Sequence, residues 1–287
     1  AVVEMIARCL APQLIGRDPA RLEAIWRDLP RHTHATTVGP ITALALSTID
    51  MALWDMRARR AGRPIHVELG GGQPSIPLYA TEGGWLQLPK DILVANALRA
   101  KDAGFRGFKV KIGRPIHEDV ARLAAVRTAV GDAFEIMIDG NQSATVDEAI
   151  RRARLFEPFD LAWYEEPMPA EDLGGHARLS ASTSLPIAIG ESIYSLQHFR
   201  EYLRRDAASV VQVCVARIGG VTPWLKAVHL AEAFNVKVAP HFLMEAHVGL
   251  GCGVPNVSWV EYIPQLEAIT TGAIRIEDGC AVPPETP

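Results

Sequence analysis

Lys111, Asp139, Glu165, Glu191, Cys214, His241 and Glu261 succeed one another at intervals of 28, 26, 26, 23, 27 and 20 residues. Each closes or follows a short apolar run: "GFKVKI", "FEIMIDGNQ", "AWYEEP", "PIAIGES", "VVQVCVAR", "VKVAPHF" and "SWVEYI". Such a run followed by a helical pattern is one strand-helix unit, so each polar residue falls one strand further along. Three carboxylates brought together from Asp139, Glu165 and Glu191 would repel one another in a partly buried site unless a cation neutralised them. Hard oxygen ligands on a rigid frame suit Mg²⁺. Lys109 and Lys111 share a strand face, because side chains alternate along a strand. Two ammonium groups in one mouth, beside a divalent ion, are expected to lower each other's pKa, and a lysine neutral near pH 7 can take a proton. His241 is a candidate acid or base. Glu261, if burial holds its proton, could donate a hydrogen bond to a substrate oxygen. Alone, each residue has an ordinary reading: a salt-bridged strand-end acid, a solvated lysine pair, a structural histidine. The shared spacing argues for a joint site. Glu166 is expected on the opposite strand face, in a structural role.

The elements that must position these residues begin near residue 76. "IPLYAT" and the seven runs above read as strands, separated by helical patterns such as Asp91 to Ala103, "HEDVARLAAVRTAVG", "TVDEAIRRARLFE", "LQHFREYLRR" and "TPWLKAVHLAEAFN". Apolar runs alternating with amphipathic helices indicate a parallel sheet, and eight of them favour a closed barrel. Polar residues at the carboxyl ends of barrel strands lie where barrel enzymes build active sites. Residues 1–73 read differently, with helical patterns in "DPARLEAIWRDL" and "ITALALSTIDMALWDMRARRAG". The second is apolar almost all round, as a helix buried between two layers would be. The tail "AIRIEDGCAVPPETP" has strand character and is expected to fold back against residues 1–73.

The 287 residues suffice for one large domain, or one large and one small. A net charge of −4 shows no basic stripe for nucleic acid. No apolar run reaches the roughly 18 residues of a membrane span. Four scattered cysteines, Cys9, Cys214, Cys252 and Cys280, form neither a disulfide framework nor a zinc pattern, and a cytoplasmic location is expected.

"KVKIG", "IDGNQ", "YEEP", "IGES", "ARIGGVT", "VAPH", "WVE" and "STIDMALWDMRARRAGRPIHVELGG" together resemble the enolase superfamily, in its mandelate racemase/muconate lactonizing enzyme group. The resemblance covers nearly the whole chain. It implies an α/β fold, a modified TIM barrel (β/α)7β with an α+β capping domain. Residues 1–73 would be part of that cap, 74–264 the catalytic barrel, and 265–287 a segment returning to the cap. The sequence starts inside the cap, so the family's opening strands and the mobile loop that covers substrate are expected to be missing. The resemblance further implies that Asp139, Glu165 and Glu191 bind Mg²⁺, which holds the carboxylate of a small-molecule substrate. Lys111 and His241 would be catalytic, and Lys109, Asn141 and Glu261 would bind substrate. The chemistry implied is removal of the proton beside that carboxylate through an ene-diolate. A homo-oligomer is expected by analogy. One position departs from the pattern. Where Cys214 stands, the family carries an Asp that pairs with the strand-seven His. A thiol is a weaker acceptor, so His241 should be a weaker base, with Cys214 a passive substitute rather than a nucleophile.

Three readings follow. A dehydratase of a sugar acid or other hydroxy acid needs His241 mainly as a proton donor, and is preferred. A racemase or epimerase needs both Lys111 and His241 as bases. A degraded member would keep the metal but not turnover.

Overall fold

The computed structural model describes residues 1–36, 38–270 and 272–287. The amino-terminal part is helical. It comprises α1 (Val2–Met5), a π turn (Ile6–Leu10), a 3-10 turn (Ala11–Gln13), α2 (Leu22–Asp28), α3 (Pro40–Ala61) and α4 (Ile65–Glu68). The alternating part then runs β1 (Ile76–Ala80), α5 (Lys90–Asp102), β2 (Gly107–Lys111), α6 (Ile116–Val130), β3 (Glu135–Asp139) and α7 (Val146–Phe156). It continues through β4 (Trp163–Glu165), α8 (Leu173–Ser180), β5 (Ile187–Ile189), α9 (Leu196–Arg204), β6 (Val210–Val211), α10 (Val215–Ile218) and α11 (Val221–Ala233). Then come β7 (Lys237–Val238), α12 (Met244–Cys252), β8 (Val260–Tyr262), and the hairpin of β9 (Arg275–Glu277) and β10 (Cys280–Val282).

Strands β1 to β7 are parallel neighbours in chain order, and β8 lies parallel on the other side of β1. Among the described residues β7 and β8 are not paired as strands, and an isolated bridge, Val238 with Val257, links β7 to the segment before β8. The Val238 N–H donates to Asn256 O at 3.0 Å and the Ser258 N–H to Val238 O at 2.8 Å. The helices start where the sequence supplies caps. Thr145, Asp172 and Ser195 each accept the backbone N–H three residues on, opening α7, α8 and α9. One apolar layer fills the space between strands and helices, from Leu78, Phe108 and Val110 to Ile136, Ile138, Ile187 and Ile189. The opposite strand faces point inward, where Tyr79, Met137, Trp163, Ala188 and Ala239 form a separate cluster.

Helix α3 lies between the amino-terminal helices and the α10–α11 corner of the barrel. Its residues Ala45, Leu46 and Ile49 pack with Leu10, Ile25 and Leu29. Asp50, 3% exposed, reaches the other way and accepts hydrogen bonds from Thr222 N (2.8 Å) and Thr222 Oγ1 (2.7 Å). Its carboxylate thus satisfies an orphan N–H in the first turn of α11, and burial pushes the carboxyl up to about 6. The tail β10 pairs antiparallel with the start of β1. Beyond it, Pro284, Thr286 and Pro287 line a cavity with Met51 and Trp54 of α3.

Strand six is shorter than its apolar sequence implies. Gln212 N still donates to Ile189 O of β5 at 2.7 Å, but beyond it the polar groups find other partners: Val213 O accepts from Trp224 Nε1 at 3.1 Å and Val215 N donates to His247 Nε2 at 3.1 Å. Cys214 therefore stands at the start of α10 rather than within a strand. Gly219 and Gly220 (φ 100° and 119°) turn the chain into α11. A Cβ at Gly220 would sit 2.4 Å from Asp50 Oδ2. Gly220→Ala is expected to cost about 2–4 kcal/mol, combining backbone strain and overpacking; a urea denaturation midpoint equal to wild type would contradict this.

Candidate active site

Register builds the site. Lys111 is the partner of Asp139 across β2–β3, and Asp139 is the partner of Glu165 across β3–β4. The barrel interior is layered. At its floor Trp163 stacks edge-on against Tyr79 at 5.2 Å, and Trp259 does so at 6.3 Å. Above the floor lies the Lys109 ammonium, 1% exposed and 5.5 Å from the Tyr79 ring centre. It donates to Glu165 Oε1 (2.8 Å) and Oε2 (3.0 Å), and lies 2.8 Å from Glu261 Oε1. Glu165 Oε2 also accepts from Gln212 Nε2 (2.7 Å) and Trp163 Nε1 (3.2 Å). At the mouth, Lys111 Nζ is bonded to Asp139 Oδ2. His241 Nε2 lies 3.1 Å from Glu191 Oε2. Asn141 folds over Asp139, its backbone N–H donating to Oδ1 at 2.8 Å.

Lys109, Lys111, Asp139, Asn141, Glu165, Glu191, His241 and Glu261 lie together in this one place. Asp139, Glu165 and Glu191 each offer an oxygen within 4.8 Å of the others. Lys111 approaches them from the Asp139 side and His241 from the Glu191 side. The donor set is all carboxylate, as a hard divalent cation requires. Among the groups described here, the four carboxylates, Glu261 included, face two ammonium groups, which leaves two formal negative charges. Burial and neighbouring Asp139 push the Glu165 carboxyl up in spite of Lys109. A divalent cation would remove that imbalance.

Two electrostatic expectations are reversed. Burial by itself would depress the Lys109 ammonium, but Glu165 and Glu261 outweigh it and hold it well above the ordinary lysine value. Lys109 is a buried counter-ion, not a neutral base. Glu261 is not held protonated either. Although burial opposes ionisation, Lys109 and hydrogen bonds from Lys109 and Thr81 Oγ1 (2.6 Å) hold its carboxyl below the usual range. Glu261 Oε2 also accepts from Phe242 N at 2.8 Å.

The thiol behaves differently from the expected weak acceptor. Cys214 is buried, which pushes its pKa up. Among the described residues His241 Nδ1 has no hydrogen-bond partner, so Cys214 does not bond to it. Glu166 has the structural role expected of it, and Arg217, Gln212 and His247 join it as residues not singled out from sequence. Glu166, 1% exposed, accepts from Ser192 N (3.2 Å) and Ser192 Oγ (3.1 Å), and Gln142 Nε2 bonds to the same carboxylate. It thereby ties the loop after β3, next to Asp139, to the loop after β5 that carries Glu191. Arg217 Nη1 donates to Glu191 O at 3.1 Å. Gln212 shared a strand face with Cys214, a signal that could have flagged it; His247 carried none.

The comparisons with known proteins coincide with this geometry. Residues 93–287 match the family model described as enolase C-terminal domain-like, and residues 1–70 match the mandelate racemase/muconate lactonizing enzyme N-terminal domain. The chain belongs to the mandelate racemase/muconate lactonizing enzyme group of the enolase superfamily. It is 38% identical over 274 residues to the L-talarate/galactarate dehydratase of Salmonella typhimurium, covering 95% of this chain and 69% of that protein. It is 37% identical over 290 residues to the 3,6-anhydro-alpha-L-galactonate cycloisomerase of Streptomyces coelicolor, covering 100% and 80%. The L-talarate dehydratase of Polaromonas sp. JS666, solved with Mg and L-glucarate, superposes with a TM-score of 0.94 at 39% identity, covering 100% of this chain and 77% of that one. The fold is therefore that of the superfamily's barrel enzymes. No helix among the described residues is long and apolar enough to cross a membrane.

Within this family barrel, the buried lysine and the buried histidine of α12 each predict a stability effect. Lys109→Met should destabilise by about 3–5 kcal/mol, because Glu165 and Glu261 lose their buried partner; chemical denaturation of a Lys109→Met/Glu261→Gln pair should recover part of it. His247 is 0% exposed, and burial holds its imidazole down at about 4. In the unfolded chain it regains an ordinary value near 6.5, so unfolding takes up a proton between about pH 6.5 and 4. Its contribution is present above that window and lost as pH falls through it. Asp50, with its raised value, changes in the opposite sense over much of the same range, and does so in any His247 variant as well. The stability gap between wild type and His247→Gln should therefore narrow by roughly 3 kcal/mol from pH 7 to pH 4; a constant gap across urea titrations would refute it.

Proposed function

We propose that this chain is a Mg²⁺-dependent dehydratase of an acid sugar. The observation that carries the reading is the convergence of Asp139, Glu165 and Glu191, with Lys111 and His241 on opposite flanks. The three carboxylates would hold the ion. Bound there, Mg²⁺ supplies positive charge to a substrate carboxylate whose negative charge doubles when the α-proton leaves. Lys111 takes that proton and His241 gives one to the departing β-hydroxyl. Asn141 orients the substrate carboxylate from above Asp139. Lys109 and Glu261 are assigned to the substrate-binding end as a fixed ion pair beneath it. Water loss leaves an enol that becomes a 2-keto-3-deoxy acid.

Dehydration is favoured over epimerisation by one feature of the site. With no acceptor for Nδ1 and little water around it, His241 is a weak base, and its conjugate acid is correspondingly the stronger donor. Similar proteins, of which this chain spans 64–80% of the length, include dehydratases of L-talarate/galactarate, arabinonate and D-galactonate. Residues 1–73 would serve as part of the substrate-covering cap, 74–264 as the catalytic barrel and 265–287 as its return. A cytoplasmic homo-oligomer is the assembly we infer, which sedimentation would test.

The test is a panel of L-talarate, galactarate, D-galactonate and arabinonate in D₂O with Mg²⁺, read for keto-acid formation and for α-proton exchange. Wild type should form keto acid, and chelation should abolish it. Lys111→Ala should lose both signals by at least about 10³-fold, while His241→Asn should keep exchange and lose elimination. Exchange without elimination in wild type would instead identify an epimerase. Bound metal with neither signal on any acid would refute turnover of these acids.

A further inference from the structure

The family pattern orients its strand-seven histidine with an aspartate, and this chain has none. Something else must set the His241 ring. The segment after it is unusual: Phe242 and Leu243 are consecutive non-glycine residues in the left-handed region, at φ 55° and 42°. Such conformations persist only where the surroundings over-determine them. The Phe242 peptide is held at both ends. Its N–H donates to Glu261 Oε2 at 2.8 Å, and its carbonyl accepts from His247 Nδ1 at 2.6 Å. With its proton on Nδ1, His247 presents a lone pair at Nε2, which accepts the Val215 N–H at 3.1 Å. The ring is fully buried and stacks on Trp224, with centroids 6.2 Å apart. Trp224 in turn bonds Val213 O. His247 thus ties the turn that carries His241 to the segment that carries Cys214, and the His241 ring lies 5.9 Å from that of Phe242.

We propose that His247 is a positioning residue that sets the orientation of His241 through the main chain, in place of the side-chain acid the family uses. The inference rests on the functional reading only in assigning His241 its part in elimination. His247 touches neither substrate nor the acidic triad. It acts by fixing the Phe242 peptide from one side while Glu261 fixes it from the other.

Two variants of the full chain, loaded with Mg²⁺, test this. His247→Leu fills the space but loses both hydrogen bonds. His247→Gln keeps a donor for Phe242 O and an acceptor for Val215 N. Dehydration and α-proton exchange are measured on the acid panel above, and the ring ¹⁵N signals of His241, assigned with His241→Asn, are followed in parallel. A folded His247→Leu should keep exchange within about threefold, lose elimination by about 30-fold or more, and shift the His241 signals. His247→Gln should recover most of both. The proposal is overturned if folded His247→Leu eliminates at the wild-type rate with His241 unmoved, if exchange and elimination fall together, or if Gln is no better than Leu. Should His247→Leu fail to fold, Val215→Pro removes one bond at a first helical position that accepts proline; Cys214 before it already has ψ 126°. A shift of the His241 signals with slowed elimination in that variant supports the proposal, and wild-type signals and rate overturn it. If wild type turns over none of the acids, the dehydratase reading fails, and the ¹⁵N signals of these variants still decide the role of His247.

Discussion

The interaction on which the rest of the structure depends is the ammonium of Lys109 among carboxylates at the centre of the barrel. Removing a charge from water is costly, and only close opposite charge and hydrogen bonds offset it. Lys109 is matched to Glu165 and Glu261, while Gln212, Trp163 and Thr81 occupy other lone pairs of those two acids. This lower layer separates an aromatic floor from a mouth that keeps excess negative charge. Lys109 offsets one of the two carboxylates beside it and Lys111 one of Asp139 and Glu191, so two negative charges remain for a divalent ion to balance.

The strands that deliver this chemistry are short, and the loops that follow them are unusually constrained. Asn141, Gln142, Glu166, Phe242 and Leu243 all adopt positive φ without being glycine. They lie immediately beyond strands three, four and seven, where the chain leaves the sheet and its side chains must turn into the mouth. Glu166 bridges two of these loops and His247 clamps a third. The precision of the site therefore resides in buried hydrogen bonds just outside the strands, where a ladder no longer dictates direction.

Cys214 is taken up in packing. Strand six ends early, α10 begins at Val215, and the thiol becomes a buried packing group. His241 keeps its place at the acidic triad through Glu191 and through its own backbone.

By itself the sequence determined the repeating strand-helix order, the membership of the ring, and which residues stand at strand ends, because the period-two pattern and the spacing of about one unit are local properties. The convergence of Lys111, Asp139, Glu165, Glu191 and His241 was legible for that reason. Only the tertiary structure decided the charge states of Lys109 and Glu261, since these depend on which groups lie within 3 Å after folding and on how little water remains. It alone decided that Cys214 would leave the strand, that Asp50 would cap α11 from another part of the chain, and that a helix histidine would brace the strand-seven turn. Each of these is a pairing of residues far apart in sequence, and periodicity carries no information about such pairings.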